Sequence, residues 1–300
     1  MRFQTTLKYI DAVARTGSIR RAADTLSITS TALNRRILAF EEELGAELFE
    51  RMSTGVRLSA AGELLVQSAR GQIGEMERLK AQLADLKGER RGHVSIACSQ
   101  AMLPYFFPEQ IAAYRAQHPL VTFNVMQRDR AAAEEALVDH SADLALVFEP
   151  AQLSDFDVLL AVDQPVHAVM AASHPLARQE VVRLRECFGY PLIMPARNIS
   201  VRGLIDAAAR RSSARMKVMV ESDNFEFMRN LTRSEEIIAF QIPVGLPSGD
   251  WEDGTVSRPI DRRDLAVGRI YLGHLKGRVM PVAVAGFARQ IQQVLAERYE

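Results

Sequence analysis

The sequence predicts a multidomain α+β protein in three parts: a small helical unit at the N-terminus, a long linker helix and a larger α/β unit. Apolar residues recur at helical spacing through residues 7–44, a heptad-like pattern follows in residues 59–88, and β-branched runs alternate with helical stretches from residue 93 onward. A chain of 300 residues with 48% hydrophobic composition is long enough for two or three packed domains. We therefore expect domain boundaries near residues 58 and 88.

The N-terminal unit, residues 1–58, has the pattern of a helix-turn-helix on a supporting helix. The supporting helix has an apolar face made of Leu7, Ile10 and Val13. Ser18 is expected to cap the second helix, because a short hydroxyl accepts a bond from a free N–H group at a helix start. Ala22 and Ala23 are small enough to let two helix backbones approach closely.

A third helix is predicted to start near residue 30, with Thr29, Ser30 or Thr31 as its N-cap. Its inward stripe consists of the apolar residues that recur at helical spacing: Leu33, Ile37, Phe40 and Leu44. The opposite face carries Thr31, Asn34, Arg35 and Leu38. A short polar and cationic helix on an apolar support is what entering a DNA major groove requires.

A short basic wing is predicted at residues 51–58, with Gly55 at a flexible turn. Residues 15–40 hold five arginines against a single acid, Asp24, and the wing adds Arg51 and Arg57. Positive charge is thus concentrated where phosphates would lie on bound DNA.

The candidate DNA contacts divide by their chemistry. Asn34 and Thr31 are candidates for base edges, because an amide can pair with adenine and a threonine methyl can meet that of thymine. Arg35 could read guanine or clamp a phosphate, and Ser30 stands beside them at the helix start. The remaining candidates are cations expected to contact phosphates or groove walls: Arg20, Arg21, Arg36, Arg51 and Arg57.

The linker helix, residues 59–88, carries the pattern of a coiled-coil seam. Steps of four and three residues connect the seam positions, which are Leu65, Ala69, Gln72, Met76, Leu79, Leu83 and Leu86. Gln72 interrupts the apolar seam and could fix its register, and Gly88 ends the helix. We expect dimerisation through the six apolar positions; the alternative is a surface helix packed on its own domain.

Residues 89–300 alternate strand-like and helical runs, which indicates parallel strands joined by helices. The first half predicts strands at 93–98, 121–127, 143–148 and 157–161, with helices near 103–116 and 130–140. The second half predicts strands at 166–171, 191–194, 218–221 and 237–240, with helices near 201–211 and 225–231. A strand at 269–272 and a helix at 281–298 close the chain. We expect subdomain I at about 92–162 plus 266–300 and subdomain II at about 163–265.

A ligand site is predicted beyond the carboxyl ends of these strands, where helices begin. Free N–H groups at the helix after Ser99 and Gln100 favour an anion, and Arg197 could clamp a carboxylate. We therefore expect a small anionic metabolite bound by Ser99, Gln100, Arg128, Asp129, Phe148, Pro195, Arg197 and Gln241. For each residue the structural alternative stays open: a helix cap, a solvated charge or a core aromatic.

The first 60 or so residues contain an ordered set of motifs: Ala22-Ala23, Ile28-Thr29-Ser30, Arg35-Arg36-Ile37, Leu44-Gly45, Leu48-Phe49-x-Arg51 and Val56-Arg57-Leu58-Ser59-x-Ala61-Gly62. In this order the motifs resemble the LysR-type transcriptional regulators. Asn34 stands where the family more often has Ser, and Thr31 where Pro or Ser is frequent, so the family's base preference cannot be carried over. The family's mode of docking on DNA, with the recognition helix in the major groove, can be carried over.

The resemblance implies a sequence-specific regulator of transcription with a periplasmic-binding-protein-like effector domain of two subdomains. It also implies a dimer, or a tetramer through the effector domains, on an operator of double-stranded DNA with two half-sites. RNA polymerase is a further partner that such a regulator would meet. With no apolar signal core and no apolar run of membrane-spanning length, we expect a soluble cytoplasmic protein.

Catalysis is not expected, because the sequence has no nucleophile elbow, phosphate-binding loop or dinucleotide fingerprint. The six histidines lack metal-ligand spacing, and no cofactor or metal is predicted. The zero net charge argues against indiscriminate polyanion binding. Two alternatives remain: a DNA-binding protein without an effector, and a redox-sensing regulator that uses Cys98 or Cys187. A periplasmic solute-binding protein is disfavoured by the fused DNA-binding unit.

Overall fold

The computed structural model describes residues 2–52, 55–66, 68, 69, 72, 76, 79, 92–149, 155–211, 216–233, 236–247 and 254–299. The chain forms two compact units, of which the first is Met1–Lys87 with Val138–Ser141. The second unit is Gly88–Leu137 with Ala142–Glu300.

The first unit is a three-helix core with a two-stranded wing. Its elements are α1 (Arg2–Thr16), α2 (Ile19–Thr25), α3 (Ser30–Leu44), β1 (Phe49–Met52), β2 (Gly55–Leu58) and α4, which starts at residue 60. The strands pair antiparallel, with Arg51 opposite Val56. The described helical residues of α4 are 60–66, 68, 69, 72, 76 and 79.

Hydroxyl caps start α2 and α3 where the sequence predicts. The Ser18 Oγ accepts a hydrogen bond from the backbone N–H of Arg21 at 3.4 Å, and the Thr29 Oγ1 accepts one from Ala32 at 3.2 Å. Each bond satisfies an N–H group that has no partner within its helix. The start of α3 near residue 30 is thereby confirmed.

The inward stripe of α3 is confirmed at three of its four positions. Leu33, Ile37 and Phe40 are buried with α1 and α2 residues in one apolar cluster, to which Ala22 and Ala23 also belong. The prediction is wrong for Leu44, which is 46% exposed. Leu44 is the last residue of α3, and Gly45 follows in the left-handed conformation with φ +67°, so the chain turns away before Leu44 can reach the core.

Two contacts fix the wing on this core. The Glu41 Oε1 accepts hydrogen bonds from the backbone N–H groups of Leu48 and Phe49, at 2.6 and 3.1 Å. The Val56 N–H donates to the Gly17 carbonyl at 3.0 Å, and a side chain on Gly55 would collide with the same carbonyl. Gly55, with φ +145°, is therefore held close to the turn between α1 and α2.

The first turns of α4 pack on their own domain. The Ser59 Oγ accepts a hydrogen bond from the Gly62 N–H at 3.0 Å, Val66 and Ala69 are buried in the N-terminal core, and Leu65 packs against that core. Because Ala69 is fully buried in the same chain, its place in a dimer seam is wrong. Further along, Met76 is half-buried and Leu79 is exposed. Leu83 and Leu86 lie outside the described residues.

The second unit contains subdomain I, built on a mixed five-stranded sheet in the order β4-β3-β5-β12-β6. The strands are β3 (Gly92–Cys98), β4 (Val121–Gln127), β5 (Leu144–Phe148), β6 (Phe156–Gln164) and β12 (Gly268–Leu275), and the helices are α5 (Phe106–Gln117), α6 (Arg130–Val138) and α10 (Val282–Tyr299). The parallel prediction is confirmed for β3, β4 and β5. It is wrong for the rest of the sheet, because β12 returns from subdomain II and runs antiparallel to both β5 and β6.

Subdomain II combines an antiparallel sheet with a parallel pair. The antiparallel sheet has the order β10-β7-β11, from β7 (His167–Ala171), β10 (Ala239–Gln241) and β11 (Thr255–Pro259). The parallel pair is β8 (Pro191–Pro195) with β9 (Lys217–Ser222), and its helices are α7 (Leu184–Cys187), α8 (Ser200–Ala209) and α9 (Phe225–Leu231). The strand β11 and the short helix α7 were not predicted. Buried apolar residues of both subdomains form one cluster, with Phe106, Phe107, Phe240 and Phe287 among its largest side chains.

No helix within the described ranges is long and apolar enough to cross a membrane. The described residues also contain no group of three or more histidine, cysteine or acidic side chains placed to hold a metal ion.

Replacing Glu41 by Ala should destabilise the N-terminal unit, because two N–H groups at the wing entrance lose their shared acceptor. We expect a loss of about 1–3 kcal/mol in the free energy of unfolding. Urea unfolding followed by circular dichroism measures it. Glu42→Ala is the matched control, since Glu42 is exposed on the same helix, and equal unfolding midpoints for the two variants would contradict the role of Glu41.

Candidate functional site

The exposed face of α3 presents the side chains that the sequence marked for base contact. Ser30, Thr31 and Arg35 are exposed, and Asn34 is half-buried. This orientation follows from the helix period, because Leu33, Ile37 and Phe40 occupy the core side. The face is therefore polar at its N-terminal end, where a recognition helix meets base edges.

Asn34 is not isolated on this face. The Nη2 atom of Arg51, on β1, donates to the Asn34 Oδ1 at 3.4 Å. The wing and α3 thus meet through two of the predicted DNA-contact residues, which lie 17 positions apart in the chain.

Three other predicted arginines have partners inside the unit. Arg57 makes a two-pronged pair with Glu50 across the wing, at 3.2 and 2.6 Å, which raises the pKa of the Arg57 guanidinium. Arg21 donates to the Thr16 carbonyl at 2.6 Å, and the Arg36 guanidinium lies 5.4 Å from the centre of the Tyr9 ring. All three side chains remain exposed despite these contacts.

Arg20 and Arg35 differ from that group. Both are exposed, and neither makes a hydrogen bond or ion pair with any residue that the structure describes. Their guanidinium groups keep all five donors for an external anion such as a DNA phosphate.

A cavity of about 220 Å³ lies in the second unit, where the carboxyl ends of β3, β4 and β5 face α8 and α9. Five of the eight predicted ligand residues line it: Ser99, Gln100, Arg128, Asp129 and Phe148. The rule that ligands sit beyond the carboxyl ends of parallel strands located this wall. The cavity mouth carries charges of both signs, because Arg128 and Asp129 are exposed there.

The other three predicted residues are not among the described residues that line the cavity. Pro195 is buried, and its carbonyl accepts a hydrogen bond from Arg202 at 2.9 Å. Arg197 is exposed and does not line this cavity, so the predicted carboxylate clamp is not found there. The Gln241 side chain is buried and its Oε1 accepts from the Ile242 N–H at 2.8 Å, which makes it part of the local backbone structure.

Subdomain II contributes Asn198, which follows a predicted strand end, and six residues that sequence reasoning missed: Ile199, Ser200, Val201, Asp223, Phe225 and Ile242. Sequence reasoning also missed Ala101, Gln127 and Arg130 of subdomain I. A signal for one of them existed. Asp223 follows β9 directly, so the strand-end rule applied to the predicted strand 218–221 would have found it.

Two serines hold Phe148 at the inner wall. The Ser99 Oγ accepts from the Phe148 N–H at 3.4 Å, and the Ser200 Oγ donates to the Phe148 carbonyl at 3.2 Å. Gln100 joins the subdomains in a similar way, because its Oε1 accepts from the Phe225 N–H at 3.0 Å. Ser99 makes no cap bond with the short 3-10 helix that follows it, so its structural alternative as a helix cap does not hold.

The N-terminus of α8 faces the cavity without a side-chain cap, since its N-cap position is Ile199. Its first N–H groups and the helix dipole therefore favour a negative group at this wall. The nearly buried guanidinium of Arg202, on α8, donates hydrogen bonds to the Pro195 carbonyl, Asp206 and Glu221. These bonds tie the first turn of α8 to the ends of β8 and β9.

Cys98 and Cys187 are both free and fully buried. Burial raises the pKa of each thiol to about 12, so both stay protonated at neutral pH. A protonated buried thiol is a poor nucleophile toward peroxide.

Comparison with known proteins agrees with this arrangement. Residues 87–296 match the family model for the LysR substrate binding domain, and residues 5–63 match that for the bacterial regulatory helix-turn-helix protein, lysR family. The uncharacterised regulator YbhD of Escherichia coli is 29% identical over 63% of this chain, which spans 60% of that protein. The regulator CbbR of Sinorhizobium medicae is 34% identical over 57% of this chain and 54% of its own length.

Among solved structures, full-length CbnR in complex with its target DNA has a TM-score of 0.71 at 18% identity, covering 97% of this chain and 99% of CbnR. This likeness shows a shared fold. The two family models, which together match residues 5–63 and 87–296, establish that the chain belongs to the LysR family of bacterial regulatory helix-turn-helix proteins.

Proposed function

We propose that this protein is a sequence-specific transcriptional regulator that binds an operator through α3 and the wing and responds to a small anionic effector in the cavity. The observation that carries the proposal is the exposed polar face of α3 beside two arginines, Arg20 and Arg35, with no partner among the described residues. The named relatives are transcriptional regulators, and no catalytic role is proposed.

The DNA contacts follow from which side chains are available. Thr31 and Asn34 are proposed to contact base edges, and Arg35 to contact guanine or a phosphate. Arg20, which like Arg35 has no partner among the described residues, is proposed to contact a phosphate of the DNA backbone. Arg21, Arg36, Arg51 and Arg57 have partners in the protein, so their contribution is to hold positive charge near the groove walls. CbnR, with the same fold, was solved on its target DNA.

The effector proposal rests on the polar groups inside the cavity. The uncapped start of α8 and the Gln100 amide supply donors, while Phe148 and Phe225 supply apolar walls. Arg128 and Arg130 at the cavity mouth, rather than Arg197, are the arginines that we propose to bind the carboxylate. Each donates one hydrogen bond to a nearby carbonyl and has further N–H donors for a ligand. A small carboxylate suits a cavity of this size and polarity.

Two half-sites require two copies of α3. We propose a homodimer through the part of α4 beyond the domain core, where Leu79 is 46% exposed. A tetramer through the second unit and contact with RNA polymerase extend this proposal. In an effector-responsive regulator, ligand binding changes the spacing of the recognition helices and so the bend of the DNA.

The DNA-binding proposal is tested by a gel shift and footprint on the intergenic DNA beside the protein's own gene. Wild type should protect a region with two half-sites. The variant Asn34→Ala, Arg35→Ala should lose it, because each good base contact contributes about 1–3 kcal/mol of discrimination. Arg115→Ala, which removes an exposed arginine of the second unit, is the control. Weak binding that ignores sequence and is shared by all three proteins would contradict the proposal.

The effector proposal predicts that Asn198→Asp abolishes stabilisation by carboxylates, because the new charge lies on the cavity wall beside the start of α8. Thermal shift against a panel of small mono- and dicarboxylates measures it. A binding carboxylate at 100 times its Kd stabilises wild type by about 2.7 kcal/mol. Asn230→Asp adds the same charge on α9 outside the cavity lining and should keep the shift. Carboxylate shifts that survive in Asn198→Asp would place the binding elsewhere.

A redox-sensing regulator would need a reactive thiol. Because Cys98 and Cys187 are both buried, we expect neither thiol to react in the folded protein. Native protein should leave both Cys98 and Cys187 unmodified by a thiol reagent at neutral pH, and both should react after denaturation. Alkylation followed by mass spectrometry before and after peroxide gives the answer. Rapid modification of either cysteine in the folded protein would restore the redox-sensing reading.

A further inference from the structure

The cavity in the second unit is lined by charged residues of both signs. Arg128 and Arg130 stand beside Asp129 on the wall of subdomain I, and subdomain II contributes Asp223. These four are the charged residues among the described lining, so its formal charge is zero. A lining that served only to attract an anion would be expected to carry an excess of positive charge.

Neither aspartate is paired with these arginines in the part of the chain that the structure describes. The Asp129 Oδ1 accepts a hydrogen bond from the Ala132 N–H at the start of α6, at 2.9 Å, which leaves the other carboxylate oxygen available. The Asp223 carboxylate makes no hydrogen bond or ion pair with any described residue. Arg128 and Arg130 donate to backbone carbonyls instead. The lining therefore has acceptors available for a cation as well as donors available for an anion.

A ligand that carries negative charge alone would meet attraction and repulsion in this cavity. Its carboxylate is favoured by the uncapped start of α8 and by the two arginines, but two carboxylates of the lining repel it. A protonated amine on the same ligand turns that repulsion into attraction, because an ammonium group has three donors and a positive charge. Asp129 and Asp223 are exposed, so the amine would lie at the mouth of the cavity.

We propose that the effector is a small zwitterion of the amino-acid type, whose carboxylate binds at the arginines and the start of α8 and whose protonated amine binds Asp223 and the available oxygen of Asp129. The proposal rests on the effector binding proposed above. It narrows the ligand from any small carboxylate to one that also carries a protonated amine. The alternative, in which both aspartates are solvated surface charges without a role in binding, predicts no effect of the amine.

The first experiment compares ligands that differ only in the amine. The full-length protein is screened by thermal shift against the common amino acids, each paired with the carboxylic acid that lacks only the amine, such as aspartate with succinate or alanine with propionate. Titration calorimetry then measures the Kd of each compound that stabilises the protein. At least one amino acid should bind at least about 5-fold more tightly than its amine-free partner, which is the upper end of what one exposed ion pair contributes. Two carboxylates act on the amine here, so this factor is the minimum expected.

The second experiment removes the two negative charges while keeping the shapes of the side chains. Asp223→Asn and Asp129→Asn should each reduce the preference for the amino acid over its amine-free partner, and the double variant should abolish it. The amine-free acid should bind the variants as tightly as wild type or more tightly, because a repelling charge is gone. A loss caused by damaged structure would weaken both compounds together.

Both variants should fold, because the new asparagine at position 129 still has an oxygen that can accept the Ala132 N–H and asparagine is a good N-cap. Melting temperatures without ligand check this. Glu180→Gln is the matched control, since Glu180 is an exposed acid of the second unit outside the cavity lining. It should leave the affinity for both members of a pair unchanged.

The outcomes are separable. Amine-free carboxylates that bind as tightly as their amino-acid partners would overturn the zwitterion while leaving a carboxylate effector in place. A preference for amino acids that survives in the double variant would overturn the assignment of the amine to Asp129 and Asp223. No stabilisation by any member of either series would instead overturn the effector binding on which the inference rests.

Discussion

The burial of one side of α3 is the constraint on which the rest of the N-terminal unit depends. Leu33, Ile37 and Phe40 hold this side against α1 and α2, and the helix period then leaves Thr31 and Asn34 facing outward. The same helix also positions the wing, because Glu41 accepts hydrogen bonds from the backbone N–H groups of Leu48 and Phe49 at the start of β1. A loss of packing on the inner side would therefore disturb α3 and the wing together, the two elements that we propose as DNA contacts.

A comparable constraint operates in the second unit at Phe148. Its backbone is bonded to Ser99 of its own subdomain and to Ser200 of the other, and its ring lies where a side chain on Gly268 would be. The cavity wall is thus also a joint between subdomains. A ligand that contacts Phe148 or the start of α8 bears on that joint directly, which gives binding a physical route to changing the angle between the subdomains.

Periodicity predicted much of this architecture, and its failures have physical reasons. Most predicted strands and helices of the second unit are present, because buried runs and amphipathic helices leave clear patterns. These patterns could not predict the direction of β12, because the hydrophobic pattern of a strand does not depend on whether it pairs parallel or antiparallel with its neighbour. The seam position Ala69 was misassigned because a small apolar residue suits a domain core and a dimer seam equally well. At the cavity, strand ends predicted one wall, and the opposite wall came from helix starts and loops that carry no periodic signal.

The contact between Arg51 and Asn34 shows the same limit at the level of function. The sequence predicts each residue as a DNA contact, but the hydrogen bond between them depends on how the wing folds back toward α3. That fold depends in turn on Glu41 and on the close approach of Gly55 to Gly17. The hydrogen-bonding groups that α3 presents on its exposed face therefore depend on the wing as well as on the helix itself, because Asn34 already shares its Oδ1 with Arg51.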